Sequence, residues 1–457
     1  CRQREGGYAV TVSLRKHHPY SGTGEMMGTK LERIAEISAT TKRPEFTSLY
    51  HLINTELLKQ CHRELDGKKA VGIDKVTKEE YGKHFESNIA DLVQRLRNKS
   101  YKPLPTRRVY IPKANGKLRP LGIVSYEDKI VQLAVKKILE AIYEPKFLNC
   151  MYGFRPKRGC HEAIKEVYQR VSHGKINYIV DADIKGFFDH IDHEWMMRFL
   201  KWHIKDPNIL WLVQKYLRAG VMVDEKYEDT DEGTIQGGNI SPMLANIYMH
   251  NVLTLWFKLV IQKEAKGESF LVNYADDFVA GFQYKSDAEH YYAALKERMA
   301  KFNLELEESK SRLIEFGRYA EQNRRARGLG KPETFEFLGF TFYYGKSRKG
   351  YPWPKVKTSR KKFEKKLREF KEWLYDSKNQ PAKDIVKQLN VKLVGYYRYY
   401  GVSFNVYKLS AFLHRIQQFL FKAMNRRGCR RTYTWNGFID MLKYYPLAKP
   451  KVYYPLY

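Results

Sequence analysis

Cysteine is scarce in this chain, and its placement excludes more than its number does. Cys1, Cys61, Cys150, Cys160 and Cys429 stand far apart with no CxxC pair. That spacing argues against a zinc ribbon and against a disulfide scaffold, and it fits a reducing cytoplasm. The sequence also shows no apolar run close to the roughly 18–20 residues that span a bilayer, so no membrane partner is expected. The opening stretch CRQREGGYAVTVSLRKHH lacks the apolar core of a signal peptide, and residues 1–27 are read as a leader carrying no fold. Acidic residues are the third shortage. Asp plus Glu total 51 against 82 Lys plus Arg, a net charge of +31. An excess of that size, spread along the chain, points to a polyanionic partner.

What is there is enough for two or three packed units: 457 residues, 43% of them hydrophobic. Residues 45–100 read as helical, and KIVQLAVKKILEAIY puts Ile130, Ala134, Ile138 and Ala141 on one helix face. Two strand patterns flank the turn signal Ala114-Asn115-Gly116-Lys117. Between about 175 and 345 the strand candidates are NYIVDAD, FLVNYADDFVAGF, SRLIEFG and FEFLGFTFYY. Helical patterns lie at 194–219, 241–262 and 286–302. An α+β fold with an antiparallel sheet backed by helices is the simplest packing of that order. The insert GRYAEQNRRARGLGKPET reads either as a solvated loop or as a contact to nucleic-acid backbone.

From Lys355 onward the chain is helical and basic, with 24 Lys/Arg against 6 Asp/Glu. Phe363, Leu367, Phe370 and Leu374 form a stripe read as core. GYYRYYGVS and RRGCRRTYTW interleave aromatics with cations, a mixture that serves base stacking or Tyr-rich packing equally.

The chemistry-bearing signal is Tyr274-Ala275-Asp276-Asp277, two adjacent carboxylates where two apolar runs meet. That reads as a β-hairpin with its charge at the turn. Asp183 follows a Val/Ile-rich strand about ninety residues earlier. Together the three carboxylates suit a divalent-metal site, because Mg²⁺ takes hard oxygen ligands and keeps several waters. Two such ions activate a 3′-hydroxyl and offset charge on a leaving phosphate. Asp181 is assigned to the sheet face opposite Asp183, and Asp189 and Asp192 beyond the strand; all three are read as structural.

The motifs GIDKVT, IPKANGKLRPLGI, YGFRPKRGCHEAI, VDADIKGFFDHIDH, GTIQGGNISPMLANIYMH, NYADD, FEFLGF, GYYRYYGVS and RRTYTW stand in one order. From about Thr29 to the C-terminus the chain resembles the reverse transcriptases encoded by bacterial group II introns. That resemblance implies a right-hand polymerase: fingers over 28–170, palm over 171–350, thumb or domain X over 351–430, and a basic tail over 431–457. It implies two Mg²⁺ ions on Asp183, Asp276 and Asp277, and dNTP contacts from Lys113, Arg119, Phe188, Gln236 and Lys310. Phe188 would exclude a 2′-hydroxyl, Gln236 with Gly237 and Gly238 would border the nascent base pair, and Phe337, Leu338, Gly339 and Phe340 would grip the primer. Arg426, Arg427, Arg430 and Arg431 are candidate RNA contacts.

The implied partners are a group II intron RNA, a DNA target and primer, and dNTPs. The implied location is the bacterial cytoplasm, at the nucleoid. The implied function is reverse transcription with splicing assistance during retrohoming. A related enzyme serving host repair or defence, or a splicing-only RNA binder, would share many of these motifs. Ile235 departs from the proline usual before QGG. No His/Asn/Cys-rich cluster follows RRTYTW, so no endonuclease is expected.

Overall fold

The computed structural model describes residues 23–112, 118–219, 221–223, 226–228, 233, 237–426 and 432–457. A first sheet is built on the hairpin of β1 (Thr106–Pro112) and β2 (Leu118–Ile123). The central sheet takes β3 (Tyr178–Ala182). Short β4 (Val221–Val223) and β5 (Lys226–Glu228) extend the first sheet in the order β2-β1-β4-β5. β6 (Ser269–Tyr274), β7 (Asp277–Phe282) and β8 (Arg312–Glu315) complete the central sheet in the antiparallel order β6-β7-β3-β8. β9 (Phe335–Phe337), β10 (Phe340–Lys346) and β11 (Pro352–Thr358) form a third.

The central sheet is buried on both faces, and strand alternation decides which residues go where. Val180, Ala182, Leu271, Phe278, Ala280 and Phe282 enter one core, shared with helices Tyr126–Tyr143 and Lys285–Lys301. Ile179, Phe270, Val272, Val279 and Ile314 enter the other, shared with helix Cys160–His173, the third sheet and the C-terminal helices. The predicted mixed fold with an antiparallel, helix-backed sheet is present, consistent with a right-hand polymerase. FEFLGFTFYY, however, is not part of the central sheet; it makes the β9–β10 hairpin of the third.

Three further expectations are corrected. The pattern at 194–219 is two helices, His193–Leu200 and Pro207–Leu217, because Asp206 caps the second and Pro207 opens it. One helical run among the described residues, Ser241–Glu264, is long and apolar enough by length and composition to cross a membrane. It carries two π-helical stretches, and 72% of its most apolar window is buried inside the protein, as in a core helix. The segment expected as a basic tail folds back. Helix Trp435–Tyr444 buries Phe438, Leu456 is fully buried, and Tyr454 bridges Val402.

The helical C-terminal region follows its stripe. Leu367, Phe370 and Leu374 of helix Arg360–Asp376 are buried, with Phe363 packed beside them. Tyr396, Tyr397 and Tyr400 of helix Ala382–Tyr400 are buried too, so in GYYRYYGVS packing accounts for most of the aromatics.

Asp206 links distant parts of the chain. Its buried carboxylate accepts from the backbone N–H groups of Leu49 (2.6 Å), Tyr50 (2.8 Å), Asn208 (2.9 Å) and Ile209 (3.4 Å). Asp206→Ala removes a helix cap and strands N–H groups, and is expected to cost about 2–4 kcal/mol in chemical denaturation.

Candidate active site

The register of the central sheet brings the carboxylates together. Asp181 pairs with Val279 and Ala182 with Phe278; one step further, the same register sets Asp183 across from Asp277. Asp277 opens β7, on the face of Val279, and Asp276 lies in the two-residue turn between Tyr274 and Asp277. The backbone of Asp183 is held in place by its carbonyl accepting from Glu307 N–H (2.8 Å) and its N–H donating to Ser311 Oγ (3.3 Å).

The turn itself is braced from behind. Ala275 has φ 57°, the left-handed region that costs a side-chain-bearing residue about 1–2 kcal/mol. Fully buried Asn273 holds it, donating from Nδ2 to Ala275 O (2.8 Å) while its backbone bonds Cys150 O (2.8 Å) and Tyr152 N–H (2.9 Å). Gly153 lies directly against the turn: a Cβ there would stand 2.5 Å from the Ala275 nitrogen. Buried Arg155 anchors that loop, donating to the Glu144 carboxylate (2.8 Å) and to the carbonyls of Leu148 (2.8 Å) and Met151 (3.0 Å). Gly153, Arg155, Asn273 and Ala275 lie within YGFRP and NYADD, where nothing in the local pattern marks a positioning role.

Asp181 is the clearest correction. Residues two apart on a strand share a face, so Asp181 lies on the side of Asp183, not opposite it. Burial pushes its carboxyl up to about 6, Asp183 and Glu336 add to the rise, and Arg312 at 3.9 Å opposes it. It belongs to the acidic cluster. Asp192 is structural as expected, capping helix His193–Leu200 through Trp195 N–H (2.8 Å).

Enclosure by protein, then the charges of Asp276, Asp183 and Asp181, push the Asp277 carboxyl up to about 7; Lys362 pulls the other way. The side chain still meets water in the cleft, so screening leaves only part of that as stability. Lys310 Nζ bonds the Asp183 carboxylate, which raises the lysine's own pKa. Among the described residues no three His, Cys, Asp or Glu side chains make a ready metal cage. The donor set nevertheless suits Mg²⁺: hard carboxylate oxygens whose mutual repulsion a cation relieves.

A cleft of about 870 Å³ opens over Asp277, walled by Leu338, Gly339, Lys362, Lys366, Lys392 and Tyr399. Leu338 (φ 48°) and Gly339 (φ 80°) form the β9–β10 turn, the positive-φ pair that tight hairpins favour. Tyr399 Oη donates to Leu338 O (3.0 Å) and Ser359 N–H to Gly339 O (3.0 Å). Phe337 and Phe340 point into the core, so only Leu338 and Gly339 of that quartet reach the cleft.

Phe188 lies at the 3₁₀ turn Phe187–Asp189, partly buried and edge-on to Phe187 at 5.3 Å. Gly237 has φ 118°, and a Cβ on it would stand 2.5 Å from Gly122 O, so the loop meets β2 where only glycine fits. Gly238 is buried beside it. Arg119 pairs with Ile111 in β2, its side chain outside the described set. Lys113, Gln236, Arg427, Arg430 and Arg431, and the Ile235 departure, lie outside the described residues. Arg426 stacks its guanidinium over Tyr375 at 5.4 Å.

The raised Asp277 carboxyl has a consequence for stability. The unfolded chain ionises this group near pH 4, the folded chain near 7. The fold is therefore favoured by this group below pH 4 and loses that contribution as pH rises to about 7. Asp277→Asn is expected to stabilise the metal-free protein at pH 8 by about 1 kcal/mol after screening. Thermal melts at pH 4 should show no such gain.

The family model described as reverse transcriptase (RNA-dependent DNA polymerase) matches residues 111–342, just over half of the chain. The group II intron-encoded protein LtrA of Lactococcus lactis subsp. cremoris is 38% identical over 239 residues, covering 51% of this chain and 40% of that protein. Protein YkfC of Escherichia coli K12 is 36% identical over 187 residues, covering 40% of this chain and 49% of YkfC. The Arabidopsis thaliana nuclear intron maturase 1, mitochondrial, is 28% identical over 93 residues, covering 20% of this chain and 13% of that protein. The chain thus spans less than half the length of these relatives. With that model matching more than half of its length, the chain belongs to the reverse transcriptase (RNA-dependent DNA polymerase) family, with group II intron-encoded proteins among its relatives.

Proposed function

We propose that the protein is an RNA-directed DNA polymerase that copies a group II intron RNA and assists its splicing. One observation supports the polymerase reading: the strand register sets Asp183 across from Asp277, with Asp276 in the adjoining turn, and Asp277 lines a cleft that also carries Lys362, Lys365, Lys366 and Lys392. In this reading Asp183, Asp276 and Asp277 hold two Mg²⁺ ions, which supply charge neutralisation and an activated 3′-hydroxyl. Asp181, ion-paired to Arg312, would tune the charge beneath them.

Each remaining residue does work the chain itself can perform. Lys310 exchanges its ion pair with Asp183 for a triphosphate oxygen. Phe188 blocks a 2′-hydroxyl, Lys113, Arg119 and Gln236 contact the dNTP, and Leu338 and Gly339 seat the primer end. Lys362, Lys366 and Lys392 offset phosphates of the bound duplex.

The fingers, palm and thumb boundaries at 28–170, 171–350 and 351–430, and a bacterial cytoplasmic, nucleoid-associated location, complete the proposal. The maturase part is supported by the printed names of the intron-encoded relatives and by the basic C-terminal region.

Extension of a DNA primer on an RNA template with dNTPs and Mg²⁺ tests it. The native chain should extend, and the Asp276→Ala/Asp277→Ala variant should not while still binding the duplex. No extension by the native chain, with RNA binding intact, would sink the polymerase reading. Gly153→Ala touches no substrate but pushes on the turn. Its extension rate is expected to fall on the order of a hundredfold with duplex affinity unchanged, since small misplacements of reacting groups cost that much.

A further inference from the structure

A second groove, of about 740 Å³, lies away from the carboxylates. It is walled by Arg318 and Tyr319, which precede the short helix Ala320–Ala326, and by Arg348, Lys349, Tyr351 and Trp353 of the β10–β11 hairpin. The primer-end turn at Leu338 and Gly339 sits at one end of β10 and this groove at the other. Its 7 residues set the two roughly 25 Å apart at about 3.4 Å per residue.

The groove is chemically one-sided. Three cations line it and no carboxylate does among its described lining residues. Tyr319 (56% exposed) and Tyr351 (68% exposed) present their rings to solvent. Trp353 is fixed beneath them, its Nε1 donating to Tyr168 Oη at 2.8 Å. The hairpin tip is ordered by Ser347 N–H to Tyr351 O (2.8 Å) and Tyr351 N–H to Ser347 Oγ (3.1 Å), so Tyr351 is held rather than trailing. Exposed rings beside guanidinium groups are what unpaired bases and their phosphates recognise. A core-packing role would bury Tyr319 and Tyr351, and a simple solvated face would not gather four aromatics, Tyr344 and Trp353 with them, in one concavity.

We propose that this groove binds a run of single-stranded RNA, separate from the duplex in the catalytic cleft. Bases stack on Tyr319, Tyr351 and the edge of Trp353, and Arg318, Arg348 and Lys349 take the phosphates. RNA is favoured over DNA because the polar lining (Ser172, Gln322) offers partners to 2′-hydroxyls. The choice of RNA rests partly on the polymerase reading; the stacking chemistry does not.

The test is fluorescence anisotropy of labelled oligouridylate, about eight nucleotides long, within the usual span of such sites. The full chain is first saturated with an unlabelled blunt RNA–DNA hybrid, so that the catalytic cleft is filled. Tyr319→Ala/Tyr351→Ala should weaken oligouridylate binding tenfold or more. Arg318→Gln/Arg348→Gln/Lys349→Gln should flatten its salt dependence. Both variants should keep native melting temperature, hybrid affinity and extension rate on a short template.

Unchanged oligouridylate affinity in both variants overturns the site. Equal binding and equal loss with oligodeoxyuridylate overturns the RNA assignment, and equal displacement by polyglutamate overturns the nucleic-acid assignment. Extension is read separately, so failure of the polymerase reading leaves the binding result interpretable.

Discussion

Everything at the site depends on the antiparallel register between β3 and β7. That pairing is fixed because both faces of the sheet are buried, so a slip of one residue would exchange two cores. The same register that sends Phe278 and Ala280 to one side sends Asp277 to the other, alongside Asp181 and across from Asp183. Negative charge therefore accumulates at one end of the sheet as a by-product of hydrophobic packing that cannot be relaxed. The cost appears as carboxyls at 181 and 277 that resist ionising.

Charge is distributed unevenly around that point. The floor carries Asp277, and the wall, carried by helices Arg360–Asp376 and Ala382–Tyr400, is predominantly cationic, with Lys362, Lys365, Lys366 and Lys392 outnumbering Glu369. A divalent cation suits the first and a polyphosphate backbone the second. Lys310 shows the balance locally, placing its ammonium on Asp183. The chain's large positive excess is thus not uniform: carboxylates gather at the β3–β7 end of the central sheet while lysines line the cleft beside it.

Rigidity comes from elements without chemistry of their own. Ala275 is held in a conformation it would not choose, and the restraint is distributed over Asn273, the backbone of 150–153 and the Arg155–Glu144 pair. Such over-determination lets a strained turn persist at a functional site.

Local pattern along the chain is enough to specify the individual units. Alternating apolar residues specified β3, β6 and β7, the apolar–acidic junction specified the turn, and a helical stripe specified Leu367, Phe370 and Leu374 as core. Two more local signals are legible there: Asp206-Pro207 marks a helix start within 194–219, and spacing alone puts Asp181 with Asp183. Those follow from the neighbours of a residue along the chain.

Which units meet is settled only by packing in three dimensions. Pattern could not show that FEFLGF builds a separate sheet, that Phe337 and Phe340 are core while Leu338 and Gly339 face the cleft, or that the C-terminal segment folds back onto Val402. Nor could it bring Lys362 and Lys392 over Asp277, or Arg318 beside Trp353. Periodicity encodes the face a residue occupies on its own element. The partner of that face is selected by packing among elements tens to hundreds of residues apart, and that leaves no local mark.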